Sequence, residues 1–529
     1  MSVNNNNSSG GISADTGQED ISSIKPEEVI FISKQPQPQR ATANNESNVV
    51  YEVFSLREHT TTTTNSNGEQ GPPSTSFQLS RTQLTNVPQP LLDEFEVGVA
   101  AIVPEHLQNG PTRRVHVVAS TASGTGLAAD FYDAVLRPLL ESRGITPAAA
   151  SDGDEAKPGI YRLVKTHGAD SIRDFARDLS RDGGDKVRHT VVLLSGDGGI
   201  VELLNGITPT STVANSDALP LLAILPLGTG NALFNSLHKS VVPTVPTATA
   251  TASALGGLPT AGTAALPPST LVQSLRTLFR GVAAPLPSFR AEFSEGARMI
   301  TYNENDDDAE AVAVKTLYGA VVASYGFHSQ LVWESDTPAY RKHGAKRFGM
   351  VAQELLKTSH AYRAVVEVSP PSPSHSPSLP SSSSPPSLSS SQTLPRTHHA
   401  YILATMLSNL EKTFTISPAS KPLDGKLRLV HFGAVDGETT MRVMIAAYDG
   451  GRHVGMRWGK KGEEGEKEEG VGYEEAEVVK VTTREEDARW RKVCVDGAIV
   501  ELPRDGTMTV AKEKEARLLV LVDRSVLGG

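Results

Sequence analysis

The chain is poor in cysteine: it has one, Cys494, in 529 residues. A lone thiol cannot close an intrachain disulfide, so the fold must be held by its core, and the expected compartment is a reducing one. There is no cationic surplus either. Lys and Arg number 50 against 60 Asp and Glu, a net charge of −10. That balance argues against a general polyanion binder, so nucleic acid is not an expected partner and any basic site must be local. Long apolar runs are missing too, since no stretch reaches the roughly 18 apolar residues of a membrane-spanning helix. The opening MSVNNNNSSGG has neither the basic-then-apolar pattern of a secretory leader nor the Met-Gly start of a myristoylated chain. The expectation is a cytoplasmic protein whose membrane contact is at most peripheral, on intracellular membranes.

What is present is a folded protein with polar padding. Residues 1–91 are rich in Asn, Ser and Thr and read as largely disordered, with one candidate strand near 48–56, NVVYEVFSL. Residues 239–268 are rich in Ala, Thr and Pro, residues 369–395 are nearly all Ser and Pro, and residues 459–470 are a Gly/Glu/Lys run. These three read as disordered inserts in surface loops, which chain entropy tolerates well.

Two blocks lie between them. Residues 92–238 alternate strand patterns (RRVHVVAS, GIYRLVKT, RHTVVLLSG) with helical ones (GLAADFYDAVLRPLLESRG, DSIRDFARDLSRDGG). Pro138 is expected to kink or end the first of these helices. Repeated βα units with short apolar strands predict an α/β domain with a parallel sheet and helices on both faces. Residues 269–527 open with a helix from Leu271 to Arg280, preceded by Ser269 and followed by Gly281. They then become strand-rich (VAVKTLYGAVVASYGF, HAYILATML, KLRLVHFG, MRVMIAAY, ARLLVLVD). An antiparallel β-sandwich is predicted there, interrupted by one helical stretch from about Tyr340 to Thr358.

The chemistry concentrates in three glycine-rich turns. Ser195-Gly196-Asp197-Gly198-Gly199 follows an apolar strand and precedes a helix whose face is Ile200, Leu203, Leu204 and Ile207. Gly228-Thr229-Gly230-Asn231 repeats that context, and STASGTG, Ser120 to Gly126, is a third case. The end of a strand and the start of a helix gather free N–H groups and the positive end of a helix dipole, which suits an anion. Glycines let the backbone come close to a phosphate. An acid at that place would be repelled by the phosphate, so Asp197 makes sense facing a hydroxyl or a metal. One such turn reads as a tight connection; three in one block point to a nucleotide. None carries the Gly-Lys-Ser/Thr of a P-loop or a G-x-G-x-x-G fingerprint.

At these residues the sequence resembles the diacylglycerol kinase catalytic domain family of lipid kinases, closest in motif to the sphingosine kinase branch. The resemblance is carried by SGDGGIVELLNG and LPLGTGNAL, with RPLL, Thr166, ESDTPAYRKHGAKRF, LDGKL and VDG following in order. It implies a fold like that of NAD kinases and diacylglycerol kinases, and ATP-dependent phosphorylation of a lipid hydroxyl with Mg²⁺. Asp197 would accept the hydroxyl proton. Ser195, Gly196, Gly198, Gly228, Thr229, Gly230 and Asn231 would cradle ATP, with Ser123, Gly124 and Thr166 nearby. Glu202 and Asn205 would order the loop, Arg341 and Arg347 would contact phosphates, and Asp496 of VDG would complete the site. The spacing of Arg341 and Arg347 leaves them off a single helical face, so an irregular segment is needed to aim both at one ligand. The implied partner is a lipid, a sphingoid base or a diacylglycerol-like alcohol, presented at a membrane surface.

The chain departs from the family pattern at Ser120-Thr121, where Asn-Pro is usual, at Gly199, and at Ala498 after VDG. Sphingosine kinases carry acids at the positions of Gln330 and Val332, and the second receives the lipid amine. Without a carboxylate, burying an ammonium would be costly. Two other readings stand beside the kinase: a non-catalytic lipid- or nucleotide-binding relative, and an enzyme like the NAD kinases. Lys342 and Lys346 read as a solvated helix face, with a membrane-facing basic patch as the lesser alternative, and Trp333 and Phe327 as core or as the lining of a lipid pocket.

Overall fold

The computed structural model of the chain describes residues 24–35, 49–61, 74–99, 103–121, 124–149, 157–168, 170–179, 181, 187–207, 219–239, 267–302, 309–344, 346–371, 391–459 and 469–528. Four strands precede the first block: β1 (Val29–Lys34), β2 (Tyr51–Thr61), β3 (Ser74–Leu84) and β4 (Glu96–Val99). They form one sheet in the order β3-β2-β1-β4, and helix α1 (Gln89–Phe95) leads into β4. The candidate strand near 48–56 falls in β2, but its neighbours β1 and β3 correct the reading of residues 1–91 as largely disordered. The physical reason is local. In VIFISK, Ile30 and Phe31 are fully buried, and the Phe31 ring packs tilted against Phe54 and edge-on against Phe279, with centroids 4.8 and 4.7 Å away. A six-residue apolar strand inside a polar region was averaged away by composition.

The central sheet holds β5 (Arg113–Ala119), β6 (Thr146–Pro147), β7 (Ile160–Lys165), β8 (Arg188–Ser195), β9 (Leu221–Pro226), β10 (Val282–Pro285) and the C-terminal strand Leu519–Val522. Its order is β10, Leu519–Val522, β9, β8, β5, β7, β6; all neighbours run parallel except β10. Helices α2 (Ala128–Phe131) and α3 (Arg137–Ser142) join through a π-turn, Tyr132–Leu136. Pro138 does not end this helix: the π-turn just before it absorbs the distortion, and the chain stays helical to Ser142. Helices α4 (Ser171–Leu179), α5 (Asp197–Gly206), α6 (Ala232–Leu237) and α7 (Thr270–Arg280) follow. Side chains of α4, α5 and α6 enter one apolar core, and those of α2, α3 and α7 another. The predicted parallel sheet with helices on both faces is therefore present. As expected, α7 is capped by Ser269, whose hydroxyl accepts from Val272 N at 3.1 Å.

A fourteen-stranded sheet, antiparallel at every pairing, fills the second half of the chain. It folds around its own core, with Phe289, Tyr325, Val366, Ile402, Val481 and Val510 packed together, a sandwich as predicted. The helices here exceed the single expected stretch: α8 (Phe327–Ser335), α9 (Pro338–Arg341), α10 (Lys346–Thr358) and α11 (Gly437–Tyr448). MRVMIAAY, read as a strand, is α11. Asp436 caps it by accepting from Thr439 N at 2.7 Å, and Val443 and Ala447, one turn apart, are buried. The domain boundary drawn at 268/269 also needs correction, because α7, β10 and Leu519–Val522 all join the central sheet and its helices rather than the second sheet. The inserts expected at 239–268, 369–395 and 459–470 fall largely outside the described residues; of the second, Gln392–Thr393 pairs with Glu367–Val368. No helix among the described residues is long and apolar enough to cross a membrane.

The N-terminal sheet is expected to be an integral part of this core. Phe31→Ala should lower stability by about 3–5 kcal/mol. Denaturant unfolding of that variant checks it; a loss below about 1 kcal/mol would mean the sheet is merely appended.

Candidate active site

The order β7-β5-β8 places a topological switch point between β5 and β8, since the chain leaves β5 on one side and returns on the other. In open α/β sheets that crevice, at the carboxyl ends of the strands, is where ligands bind. The three glycine turns follow β5, β8 and β9. Because β8 and β9 are parallel, with Ser195 opposite Pro226, the turns leave from the same end.

They do more than lie close. A Cβ on Gly196 would stand 2.9 Å from Gly228 Cα, and one on Gly228 would collide with Gly196 Cα, so the two turns touch backbone to backbone. Leu227 N donates to Ser195 O at 3.1 Å, and Thr125 Oγ1 donates to Leu227 O, drawing in the turn after β5. There Gly124 lies beside the Thr229 methyl, which stands 3.0 Å from the place of a Cβ. Thr166, buried after β7, fixes the same turn: Thr121 N donates to Thr166 Oγ1 at 3.0 Å and Thr121 Oγ1 to Thr166 O at 2.8 Å.

Asp197 stands at the junction. It opens α5, yet its carboxylate reaches across to the start of α6, where Oδ2 accepts from Ala232 N at 2.7 Å and Oδ1 from Leu233 N at 3.0 Å. Burial lifts its pKa above the usual aspartate value and outweighs the hydrogen bonds from the amides of Leu233, Ala232 and Asp197 itself, which pull it down. The residue as a whole is half-buried.

Asp496 comes from the second sheet and lies close enough for Asp197 to raise its pKa. Its buried carboxylate accepts from Ala320 N at 2.6 Å, from Val321 N at 3.1 Å and from Val322 N at 2.5 Å. Burial, the largest cause, pushes this carboxyl up to about 7. Asn205 makes a second tie between the halves: Nδ2 donates to Tyr318 O at 2.8 Å and Oδ1 accepts from Tyr318 N at 2.9 Å.

Other expected site residues are placed as follows. Gly198 and Thr229 are exposed, and Gly230 lies near Asp197 Oδ2 and Leu410 O. Ser195 is buried, and its side chain fills the space a Cβ on Gly199 would need. Asn231 takes a left-handed conformation, φ 52°, and turns its amide inward: Oδ1 accepts from Gly228 N at 3.0 Å and Nδ2 donates to Gly228 O at 2.8 Å. Its side chain therefore shapes the turn. Glu202 joins none of the turns; it faces the start of α4 near Ile172 and Arg173, and burial pushes its carboxyl up to about 7. Arg341 and Arg347 sit on α9 and α10, and the break between those helices aims both at one anion. That anion is Asp336, bonded by Arg341 at 3.1 and 2.8 Å and 3.9 Å from Arg347. Ser123 lies outside the described residues.

Sequence reasoning missed Asp336, although an acid five residues before Arg341 was a readable signal. It also missed the Leu407–Ile416 loop, which borders Gly230; nothing in the sequence pointed there. Among the described residues no group of three or more His, Cys, Asp or Glu side chains is placed to hold a metal ion.

Residues 114–259 match the family described as the diacylglycerol kinase catalytic domain. No curated protein matches the chain. Among solved structures it is similar to a diacylglycerol kinase from Bacillus anthracis str. Sterne, at 12% identity over 78% of this chain and 98% of that one, with a TM-score of 0.40. It is also similar to a yeast NADH kinase complexed with NADH, at 9% identity over 78% and 84% of the two chains, with a TM-score of 0.33.

The contact between the turns should tolerate no side chain at one position and accept one at another. Gly228→Ala is expected to force the turns apart, lowering stability by about 1–3 kcal/mol and weakening ATP binding. Gly198→Ala, which meets nothing within 4 Å, should leave stability intact. Thermal melts and equilibrium ATP titration of both variants check the pair; equal melting temperatures would refute the contact.

Proposed function

We propose that the protein transfers the γ-phosphate of ATP to the hydroxyl of a lipid alcohol, with Asp197 accepting the hydroxyl proton. The observation that carries this reading is the meeting of two glycine turns, backbone to backbone, with the Asp197 carboxylate at their junction. The turns supply amide groups and the starts of α5 and α6 for a triphosphate. Phosphoryl transfer asks little else of a protein than positioning and charge compensation. The carboxylate oxygens of Asp197 each accept one amide hydrogen, which leaves each a lone pair for the incoming hydroxyl. Desolvation raises the basicity of the carboxylate toward working pH, as a general base requires. Arg341 and Arg347, already converging on one carboxylate, are suited to exchange Asp336 for phosphate oxygens.

The lipid is better read as neutral than as a sphingoid base. Gln330 is buried, with its amide donating to Glu334 Oε1 at 2.7 Å, and Val332 offers no charge. Glu334, one turn on, is taken by Arg489 at 2.9 Å. No carboxylate at these positions is free to pair with an ammonium, so a diacylglycerol-like or ceramide-like alcohol fits better. One observation favours a second reading, a non-catalytic nucleotide- or lipid-binding relative: Asn231, Arg341 and Arg347 all have internal partners. Labelled ATP with a panel of lipid alcohols separates the two. Transfer to any of them supports the kinase, and nucleotide binding without transfer supports the relative.

Asp197→Asn should lower kcat by about 10²–10⁴-fold. It should also cost about 1–3 kcal/mol of stability, because an amide nitrogen cannot accept from Ala232 or Leu233. ATP affinity should change far less than kcat. Turnover retained in the variant would remove Asp197 from the base role.

The pH profile gives an independent check. The base works only when ionised, so kcat falls as pH falls through the pKa of Asp197. Burial raises that pKa, so the acid limb should lie above the range of an ordinary aspartate. An acid limb near the unperturbed value would contradict the assignment.

A further inference from the structure

None of the three glycine turns carries a lysine or an arginine. Arg341 and Arg347, the cations assigned to the site so far, already share Asp336. A triphosphate gathers several negative charges in one place, so the site calls for a cation that need not leave a partner first. Residues 407–416 supply one from the second half of the chain.

This segment is a small hairpin fastened along α6. Ser236 Oγ donates to Asn409 O at 3.0 Å and accepts from Asn409 N at 3.0 Å. Just past the end of the helix, Lys239 Nζ donates to Asn409 Oδ1 at 3.0 Å and to Thr415 Oγ1 at 3.3 Å. Across the hairpin, Leu410 N donates to Phe414 O at 3.1 Å. Within it, Asn409 Nδ2 donates to Glu411 O at 3.2 Å and to Lys412 O at 3.4 Å, which fixes the backbone of the tip.

The tip borders the second glycine turn. A Cβ on Gly230 would stand 3.5 Å from Leu410 O and 3.8 Å from Asp197 Oδ2. The hairpin and the carboxylate at the junction of the turns therefore flank the same glycine. Lys412 lies two residues beyond Leu410 and is exposed. Its ammonium makes no hydrogen bond or ion pair among the described residues. The acid beside it is engaged elsewhere, since Glu411 accepts from the Tyr448 hydroxyl of α11 at 3.2 Å. Two residues span at most about 7 Å, and the flexible four-carbon stem of a lysine is of similar length. The ammonium thus has the reach to come over Gly230.

We propose that Lys412 is a substrate-binding cation of the transfer site, its ammonium extending over the second glycine turn to donate to the γ-phosphate oxygens of ATP. This assignment rests on the kinase reading and adds to it the residue that compensates the phosphoryl group being moved. Charge is spread over the oxygens of that group during transfer, where a positioned cation lowers the barrier. A compact ammonium on a flexible stem suits a group whose charge has no fixed direction. An ordinary solvated lysine would instead leave nucleotide binding untouched.

The test uses the full chain with Lys412→Ala and Lys412→Arg, each titrated with ATP, ADP and AMP. Lys412→Ala should weaken ATP by about tenfold while ADP and AMP change little, and Lys412→Arg should recover most of the loss. On a lipid alcohol that the wild type phosphorylates, kcat should fall by about 10²-fold in Lys412→Ala and less in Lys412→Arg. Melting temperature should stay unchanged, because the side chain has no partner to lose. Equal losses for ATP and ADP, or a lower melting temperature alongside them, would make the residue a structural prop and overturn the assignment. Wild-type ATP affinity in Lys412→Ala would overturn it too, whatever becomes of the kinase reading. A loss confined to ATP, with no phosphoryl transfer by any form, would support the γ-phosphate contact and count against the kinase reading alone. Failure of the wild type to bind ATP would overturn both.

Discussion

The site depends on one carboxylate joining two helix starts. Asp197 begins α5 and accepts the first amides of α6, so the positive ends of both helix dipoles meet on it. This resolves the tension of an acid in a phosphate-type cradle. The charge is matched by amides of α6. Helix α6 has only six residues, too few to hold together by propensity, and the cap from Asp197 helps position it. The contact of Gly196 with Gly228 follows from the same constraint, since the carboxylate reaches α6 only when the turns touch.

A second pair of ties holds this cradle to the antiparallel sheet. Asp496 accepts three consecutive amides at the start of a strand in that sheet, and Asn205 pairs with both backbone groups of Tyr318. Both ties are polar, directional and close to the turns. The apolar core around them is continuous, with Ile200 and Leu233 from the helices and Val322 and Val430 from the second sheet in one cluster. The returning strand Leu519–Val522 adds a covalent crossing. The two halves are thus joined at the site by polar ties, a shared apolar core and a returning strand.

How much of this the sequence disclosed depended on the range of the interaction. The βα repeats, the parallel sheet, the Ser269 cap and the three turns were legible because each rests on neighbours within a few residues. Helix α11 was not, because MRVMIAAY is apolar enough for either period and the deciding cap, Asp436, sits five residues upstream of Met441. Strand β1 was hidden by the polar residues on each side of it. Within the site, the acid and the glycines could be named, but not the use of Asn231: a residue that suits phosphate and a residue that closes a left-handed turn have the same letter. Contacts such as Leu410 with Gly230, 180 residues apart, leave no local trace at all.

Asp336 shows what such long-range placement does to chemistry. Arg341 and Arg347 are too far out of phase to share a helical face, and the break between α9 and α10 is what lets both meet one carboxylate. A carboxylate presents paired oxygens to a guanidinium, so Asp336 holds the two arginines in one orientation. Asp336 is itself only half-buried. At the positions of Gln330 and Val332 no charge is offered: Gln330 is buried with its amide on Glu334, and Val332 is apolar.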